Sequence, residues 1–164
     1  MVERSSRSWG AWFTPSNSSK TMNISYTIRE FVFPQDYDSV RYLWTHAGDG
    51  LHIAKSDEPD EIQKKIKRDP DLFLVAELDG QIVGTVLGGF DGRRGIMYHL
   101  AVAEQYQKHG IASALVHKLE NRLITKGCIR MYMLVYESNH TAIDFYEKRG
   151  YSKMNVVTYG KDLQ

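Results

Sequence analysis

The stretch from Leu100 to Leu115 constrains what this chain can fold into more than any other, because it joins a strand end, a turn and a helix start. Residues 96–102 are mostly apolar and follow Gly95, which is typical of a buried strand. After the turn, apolar residues recur at helical spacing, at Ile111, Leu115, Leu119 and Leu123. The first N–H groups of such a helix have no partner within it, and the helix dipole adds partial positive charge. The turn can therefore hold a phosphate.

The turn itself reads Gln107-Lys108-His109-Gly110-Ile111-Ala112 and favours an anion. Lys108 adds positive charge, while Gly110 and Ala112 let a ligand approach the backbone closely. The chain lacks the Gly-x-Gly-x-x-Gly pattern of dinucleotide-binding proteins and the Gly-Lys-Ser/Thr pattern of triphosphate loops. An ordinary solvated turn is the alternative interpretation of the same residues.

A second block, residues 139–151, begins where the next predicted strand gives way to another helix. Asn139 is a good N-cap residue, because its side-chain oxygen accepts hydrogen bonds from free N–H groups of a helix start. Asn139 and Tyr146 stand two turns apart and so lie on roughly the same side of this helix. Taken alone, Tyr146 would be interpreted as a core aromatic residue and Asn139 as a cap only.

Composition favours one globular domain that has neither nucleic acid nor a membrane as a partner. A chain of 164 residues with 42% hydrophobic content suits one sizeable core. The formal net charge of +1 provides no broad basic surface for nucleic acid. No apolar run has the length of a membrane span or forms the core of a signal peptide. We therefore expect a soluble, cytoplasmic protein.

The cysteine and histidine positions predict no metal site. Cys128 is the single cysteine, so it cannot form an internal disulfide, and it offers no metal-ligand spacing. Four histidines also lack ligand-like spacing with Cys, Asp or Glu, namely His46, His52, His117 and His140.

Element patterns divide the chain into an N-terminal extension, residues 1–21, and a domain over residues 22–164. The extension has no periodicity and carries Trp9, Trp12 and Phe13. The domain is predicted to follow the order β-α-α-β-β-β-α-β-α-β, with strands over 24–29, 72–77, 81–88, 96–102, 130–136 and 153–161 and helices over 35–46, 110–126 and 139–149. A further, highly charged helix can be capped by Asp57 or Asp60 and ends near Arg68. The Asp79-Gly80 pair predicts a tight hairpin.

Together the two blocks resemble the GNAT superfamily of acetyl-CoA-dependent N-acetyltransferases, over about residues 22–163. The family's pyrophosphate signature is Gln or Arg, two residues, Gly, one residue, then Gly or Ala, and residues 107–112 match it. Leu100-Ala101-Val102 matches the strand before that signature, and residues 139–151 match the family's next helix with its tyrosine. Both motifs stand in the element order typical of the family.

The resemblance implies a single-domain α/β (α+β) acyl-CoA N-acyltransferase fold, with a mixed twisted sheet and helices on both faces. Its two central parallel strands, here Met97–Val102 and Arg130–Tyr136, are expected to splay so that the pantetheine arm of the co-substrate enters between them. Backbone groups of Leu100 and Val102, freed by the splay, would bind it. The implied acetyl-CoA-binding residues are Leu100, Ala101, Val102, Gln107, Lys108, His109, Gly110, Ile111, Ala112, Ser113, Asn139 and Tyr146.

The implied activity is transfer of an acetyl group from acetyl-CoA to a primary amine of a small molecule, peptide or protein. The amine would attack the thioester directly in a ternary complex. Tyr146 is the implied general acid for the departing thiolate, because a phenol with a pKa of about 10 stays protonated at neutral pH. No metal is required.

The general base is less apparent, and two candidates are His99 and Glu137. Regular strand alternation would place His99 on the side of Ala101, opposite Leu100 and Tyr98, although a bulge could reverse this parity. An ordered water chain, or an amine that arrives already deprotonated, would remove the need for either residue. In this family the first two helices and their loop shape the acceptor site, which makes Trp44, His46 and His52 the substrate-side candidates.

Two other classes of function stay open at this point. A GNAT-like domain without an evident base could sense or store an acyl-CoA without turnover. An interaction protein could instead use the aromatic residues of the extension to assemble with a partner. Similar proteins often dimerise, so the resemblance also implies a homodimer as a candidate assembly.

Overall fold

The computed structural model of the protein describes residues 24–48 and 51–163. In these ranges it contains five strands, β1 (Thr27–Glu30), β2 (Phe73–Leu78), β3 (Gln81–Phe90), β4 (Gly95–Val102) and β5 (Met131–Met133), and four α-helices, α1 (Tyr37–His46), α2 (Pro59–Arg68), α3 (Ile111–Thr125) and α4 (His140–Glu147). Short 3-10 helices occupy Lys55–Asp57 and Glu104–Tyr106. The extension predicted over residues 1–21 lies outside the described residues.

The strands form one mixed sheet in the order β1-β2-β3-β4-β5. The first four strands are antiparallel to their neighbours, while β5 runs parallel to β4. Asp79 and Gly80 link β2 to β3 with φ values of 49° and 75°, as a two-residue turn with both residues left-handed requires. This confirms the hairpin that the Asp-Gly pair predicted.

Helices cover both faces of the sheet, and each face has its own core. On one face α3 packs over a cluster that includes Leu72, Leu74, Val86, Met97, Leu115 and Leu119. On the other face α1 and α2 contribute to a second cluster, which includes Val40, Leu43, Trp44, Ile62, Phe73 and Ala101. Phe145 and Tyr146 of α4 pack beside the first cluster. The predicted fold class, a single α/β domain with a mixed sheet between helices, is confirmed.

The strand predicted over residues 153–161 is wrong. Residues 151–163 have no regular secondary structure, and Val156, Val157 and Tyr159 are exposed. The apolar alternation in this segment has no face of the described domain to bury against. The neighbouring β5 is only three residues long and offers few backbone groups for pairing. Residues 151–163 make side-chain contacts with residues on either side of β5, such as Lys153 Nζ at 3.1 Å from Glu137 Oε1.

Residues 24–48 and 51–163 include no helix that is both long enough and apolar enough to cross a membrane.

Two glycines of β3 let α3 lie directly on the sheet backbone. A Cβ on Gly88 would stand 2.4 Å from Leu119 Cδ1 and 3.2 Å from the Leu72 carbonyl oxygen. A Cβ on Gly84 would stand 2.9 Å from Ile111 Cγ2. Because interiors are close-packed, a single added methyl group at either position must displace α3 or the strand.

We expect Gly88→Ala to lower the free energy of unfolding by about 1–3 kcal/mol, which is typical of overpacking. Urea unfolding followed by circular dichroism measures this difference. Gly160→Ala is the matched control, since a Cβ there meets nothing within 4 Å. Equal stability of the two variants would contradict the close packing of α3.

Candidate active site

The pairing of β4 with β5 stops halfway along β4. Gly95, Ile96 and Met97 pair with Met131, Tyr132 and Met133, in that order. Beyond this point β4 continues to Val102, whereas β5 has ended. A wedge therefore opens between the two strands after Met97. We call it the β4–β5 wedge.

Backbone groups of β4 face this wedge. The Ala103 N–H donates to the Val83 carbonyl at 2.9 Å, toward β3. Because the N–H and C=O of one peptide point in opposite directions, the Val102 carbonyl points away from β3, into the wedge. There it accepts a hydrogen bond from Gln107 Nε2 at 3.0 Å. By strand alternation the backbone groups of Leu100 point the same way as those of Val102.

The turn before α3 presents open N–H groups close to the end of β4. Lys108 and Gly110 both adopt left-handed backbone, with φ values of 63° and 85°. The first bond of the helix runs from the Ala114 N–H to the Gly110 carbonyl at 3.0 Å. The N–H groups of residues 111–113 precede this bond and have no partner inside the helix. Together with the helix dipole they form a site suited to an anion.

Gly110 is required here by its backbone conformation. A Cβ at this position would meet nothing within 4 Å, so the space alone would admit a side chain. Its φ of 85° lies in the left-handed region, which glycine adopts without the steric cost that other residues bear. The buried Ile111 then anchors the first turn of α3 in the core.

Tyr146 and Asn139 occupy the two ends of α4. The Asn139 side chain accepts a hydrogen bond from the Ala142 N–H at 3.1 Å, so the predicted cap is present. The Tyr146 ring meets the rings of Phe145 and Tyr151 edge-on, at centroid distances of 5.1 and 5.6 Å. Burial raises the pKa of Tyr146 to about 12, although nearby Arg149 opposes the shift. The Tyr146 phenol therefore stays protonated at neutral pH.

A bulge in β4 sets the direction of His99. Thr85 pairs with Ala101 and Leu87 pairs with Tyr98, so two residues of β4 oppose one of β3 at this point. His99 has a φ of 42°, which is uncommon for a residue other than glycine. Its ring lies 4.7 Å from the Trp44 ring, on the face covered by α1 and α2.

The bulge also corrects one prediction about which residues of β4 share a face of the sheet. Regular alternation predicted that His99 lies on the side of Ala101 and opposite Leu100. The structure agrees, because Ala101 belongs to the α1 and α2 core with Trp44, and Leu100 packs against the α3 core. Tyr98, however, lies on the side of His99, because its ring and Lys65 Nζ both approach Gly89 on that face. The expected separation of Tyr98 from His99 is wrong because the bulge breaks the alternation between them.

His99 forms a hydrogen bond with a buried carboxylate that sequence reasoning assigned only to helix capping. His99 Nε2 is 2.8 Å from Asp57 Oδ1, and the two side chains are 18% and 4% exposed. Asp57 Oδ2 accepts a second hydrogen bond from the Ala54 N–H at 2.8 Å. Burial alone would raise the pKa of Asp57, but the hydrogen bonds from His99 and Ala54 outweigh it and lower this pKa. The cap of α2 is instead Glu58.

The other catalytic and acceptor-side residues predicted from the sequence lie at separate positions around the His99 and Asp57 pair. Glu137 is exposed on the rim and pairs with Lys153. His46 Nδ1 bonds back to the Tyr42 carbonyl of its own helix at 2.8 Å, so its ring is not directed at the wedge. His52 approaches the Tyr136 ring edge-on at 4.8 Å, which brings the loop after α1 to the segment that follows β5. Trp44 is buried beneath His99.

No group of three or more His, Cys, Asp or Glu side chains in the described ranges is arranged to hold a metal ion.

A mixed sheet that opens between its two parallel strands, with a helix N-terminus at the opening, is the fold that this chain shares with solved acetyltransferase structures. The chain belongs to the acetyltransferase (GNAT) family, whose family model matches residues 30–151. The protein is thus an acyltransferase enzyme.

Relatives and solved structures agree with this assignment. An acetyltransferase of Pectobacterium atrosepticum is 44% identical over 133 residues, which cover 80% of this chain and 93% of that protein. The structure of the NatC complex bound to Gag peptide and CoA is similar with a TM-score of 0.69 and 20% identity, covering 80% of this chain and 87% of that one. AAC(6')-Iy in complex with the bisubstrate analogue CoA-S-monomethyl-acetylneamine gives a TM-score of 0.66 and 17% identity, covering 84% and 99%. At these identities the two structures share the fold with this chain.

We expect the stability difference between the unaltered protein and Asp57→Asn to depend on pH. The folded state lowers the pKa of Asp57 below its ordinary value of 3.8, so the ionised group stabilises the fold above that pH. This stabilisation is lost as the pH falls through the lowered pKa. The substitution should cost about 1–2 kcal/mol at pH 5, and the difference should shrink at pH 3.

Urea unfolding at the two pH values measures this effect. Asp144→Asn, at an exposed position of α4, is the control and should change stability by less than about 0.5 kcal/mol at both pH values. A difference between the unaltered protein and Asp57→Asn that grows toward low pH would contradict the assignment.

Proposed function

We propose that the enzyme transfers an acetyl group from acetyl-CoA to a primary amine, by direct attack of the amine in a ternary complex. The observation that carries this proposal is the β4–β5 wedge, whose exposed strand edge leads to the open N–H groups at the start of α3. The amine is that of a small molecule, a peptide or a protein. The family, and the CoA and peptide or CoA-linked ligand named for the two similar structures, support this reading.

The residues on the phosphate side suit the pyrophosphate of coenzyme A. The N–H groups of residues 111–113 are free to donate to phosphate oxygens. Lys108 lies in the same turn and adds positive charge. Gln107 holds the end of β4 through the Val102 carbonyl, so its amide stabilises the strand edge beside the ligand. His109, Ala112 and Asn139 complete the proposed set on this side.

The exposed edge of β4 suits the pantetheine arm and the thioester. Backbone groups of Leu100 and Val102 point into the wedge and can bond an amide-bearing chain laid beside them. When bound, acetyl-CoA supplies the acyl group as a thioester. A Leu100 N–H that faces the wedge would stabilise the negative charge that develops on the thioester oxygen during attack.

Tyr146 is the proposed general acid, and its burial adds a condition to this role. A phenol of pKa about 12 gives its proton uphill to a thiolate whose conjugate acid has a pKa of about 8.5. The transfer therefore requires that the phenolate regain a proton at once, and the attacking nitrogen must lose one as it becomes an amide. Tyr146 would accordingly pass one proton from the nitrogen to the sulfur.

The face covered by α1 and α2 is the proposed acceptor side. Trp44 and Tyr98 belong to this face, and His52 lies in the loop after α1, where its ring meets the Tyr136 ring edge-on. The lack of an evident base was the best argument for the alternative function, an acyl-CoA sensor without turnover. The hydrogen-bonded His99 is a candidate base on this face and favours the enzyme.

Ser113→Glu should abolish acetyl-CoA binding at concentrations that saturate the unaltered protein, because a carboxylate in the first turn of α3 repels pyrophosphate. An acidic residue at a helix N-terminus favours the helix itself, so loss of binding would not reflect unfolding. Isothermal titration with acetyl-CoA and thiol release with a panel of amines, peptides and aminoglycosides measure the two parts of the function.

Asn121→Glu places the same charge at an exposed position of α3 and should leave acetyl-CoA binding near its original value. Equal binding by both variants would place the coenzyme elsewhere. Tight binding by the unaltered protein without thiol release on any amine would exclude the proposed transfer.

Tyr146→Phe should lower kcat by about 10²-fold, the lower end of the range for general acid catalysis, because a phenol of raised pKa is a weak acid. Acetyl-CoA affinity should change little, since only the hydroxyl is removed. Tyr159→Phe, at a residue that is 90% exposed, is the control. Unchanged turnover of Tyr146→Phe would remove Tyr146 from the reaction.

A further inference from the structure

We propose that Asp57 is a positioning residue for acetyl transfer, which holds His99 in the tautomer whose Nδ1 takes a proton from the acceptor amine. The inference rests on the proposed function above and adds the residue that prepares the base. Asp57 and His99 are 42 positions apart in the chain and meet only through the fold.

The contact between the two side chains is protected from solvent. Asp57 is nearly fully buried, and its Oδ1 lies 2.8 Å from His99 Nε2. Its other oxygen is occupied by the Ala54 N–H. A buried carboxylate with both oxygens bonded has little freedom to turn, so His99 meets a fixed acceptor.

This acceptor determines which ring nitrogen carries the proton. An ionised carboxylate only accepts hydrogen bonds, so His99 Nε2 must be the donor. In the neutral imidazole the lone pair is then on Nδ1. Within residues 24–48 and 51–163 no hydrogen bond reaches Nδ1. The ring therefore presents a free basic nitrogen while its other nitrogen is held.

The position of His99 suits a base for this reaction. It directly precedes Leu100, the residue whose backbone faces the wedge. Its ring lies on the α1 and α2 face, and it is 18% exposed, so solvent and a small group can reach it. The contact of His52 with Tyr136 brings the loop after α1 to the segment that follows β5.

The side-chain chemistry at position 99 distinguishes a base from a purely structural residue. The φ of 42° is left-handed, a region in which asparagine, aspartate and histidine are the enriched residues after glycine. Asparagine would tolerate this conformation and could still donate a hydrogen bond to Asp57. What asparagine cannot do at neutral pH is accept a proton, and this is the property that histidine adds.

Charged groups on the α1 side of the pair are themselves partnered. Arg41 donates to the Tyr37 hydroxyl at 2.9 Å, and Tyr37 donates to the Asp57 backbone carbonyl at 2.9 Å. Arg41 also pairs with Glu58 at 3.3 Å. These contacts brace the main chain of Asp57 and leave its carboxylate to His99 and Ala54.

Charged groups on the α2 side are paired as well. Lys65 forms a close ion pair with Asp69, and burial lowers the pKa of Lys65. Tyr98, beside His99 on β4, has a pKa raised by burial and by Asp69, so it stays neutral. In the described part of the chain, Asp57 is thus the one ionised group bonded to His99.

The proton balance follows from these positions. The acceptor ammonium gives one proton to His99 Nδ1, which forms an imidazolium stabilised by Asp57 and later released to solvent. The neutral nitrogen attacks the thioester carbon, so a C–N bond forms and the C–S bond breaks. The nitrogen then loses its second proton through Tyr146 to the sulfur. The products are an amide, the coenzyme A thiol and one proton.

The test compares Asp57→Asn and His99→Asn by the pH dependence of kcat/KM, with the amine that releases thiol fastest in the panel. His99→Asn should lower kcat/KM by about 10²-fold or more. It should also remove the decrease of kcat/KM at acid pH that protonation of the imidazole causes. Asp57→Asn should lower the plateau and move the decrease of kcat/KM at acid pH to lower pH, because the imidazolium loses its anionic partner.

The acceptor ionises identically in every assay, so a shift between variants belongs to the protein. Asp60→Asn, at an exposed position of α2, is the matched control and should keep the original profile. A merely structural Asp57 would lower activity without moving the decrease at acid pH, and that result would overturn the proposal while the proposed function stands.

Nitrogen NMR of histidine-labelled protein provides a reading that does not depend on turnover. The signal that disappears in His99→Asn should report the tautomer with the proton on Nε2, and a proton on Nδ1 would overturn the proposal. If the unaltered protein releases no thiol with any amine, the proposed function fails first, and the catalytic role of the pair fails with it.

Discussion

The site depends on the end of the ladder between β4 and β5 after Met97. In a continuous sheet every backbone N–H and C=O of β4 would be paired, and no ligand could bond to them. Because β5 ends at Met133, the groups of Leu100 and Val102 face an opening. Gln107 bonds to one of them, and the rest are available where the helix N-terminus of α3 adds its own N–H groups.

The two sides of the wedge are formed by different kinds of chemical group. The side proposed for coenzyme A consists largely of main-chain groups from one continuous segment, residues 100–113. The side proposed for the acceptor consists of side chains from separate segments, brought together by α1, the 3-10 turn and the bulge of β4. Main-chain recognition tolerates many side chains, whereas the Asp57 and His99 contact requires two particular residues at a particular distance.

Features that depend on local interactions could be predicted from the sequence. The strand, turn and helix around Gly110, the Asp79-Gly80 hairpin and the Asn139 cap all depend on residues a few positions apart. The strand over 153–161 was wrong because a strand needs a partner, and β5 is too short to provide one. Asp57 was missed because its partner is 42 positions away, and no local pattern distinguishes such a carboxylate from a helix cap. The side of Tyr98 was wrong because a bulge is a property of two strands together.

The bulge in β4 has a consequence for how this strand can vary. It depends on the number of residues between Tyr98 and Ala101 rather than on their identity, because one extra residue opposes β3 there. Loss of one residue between them would restore a regular ladder in which Tyr98 and Ala101 keep their present faces, but the bulge that directs His99 toward Asp57 would be lost. The length of β4 between Tyr98 and Ala101 is therefore more constrained than the length of the exposed loops around it. An insertion or deletion that preserves the geometry at His99 has to fall outside this part of β4.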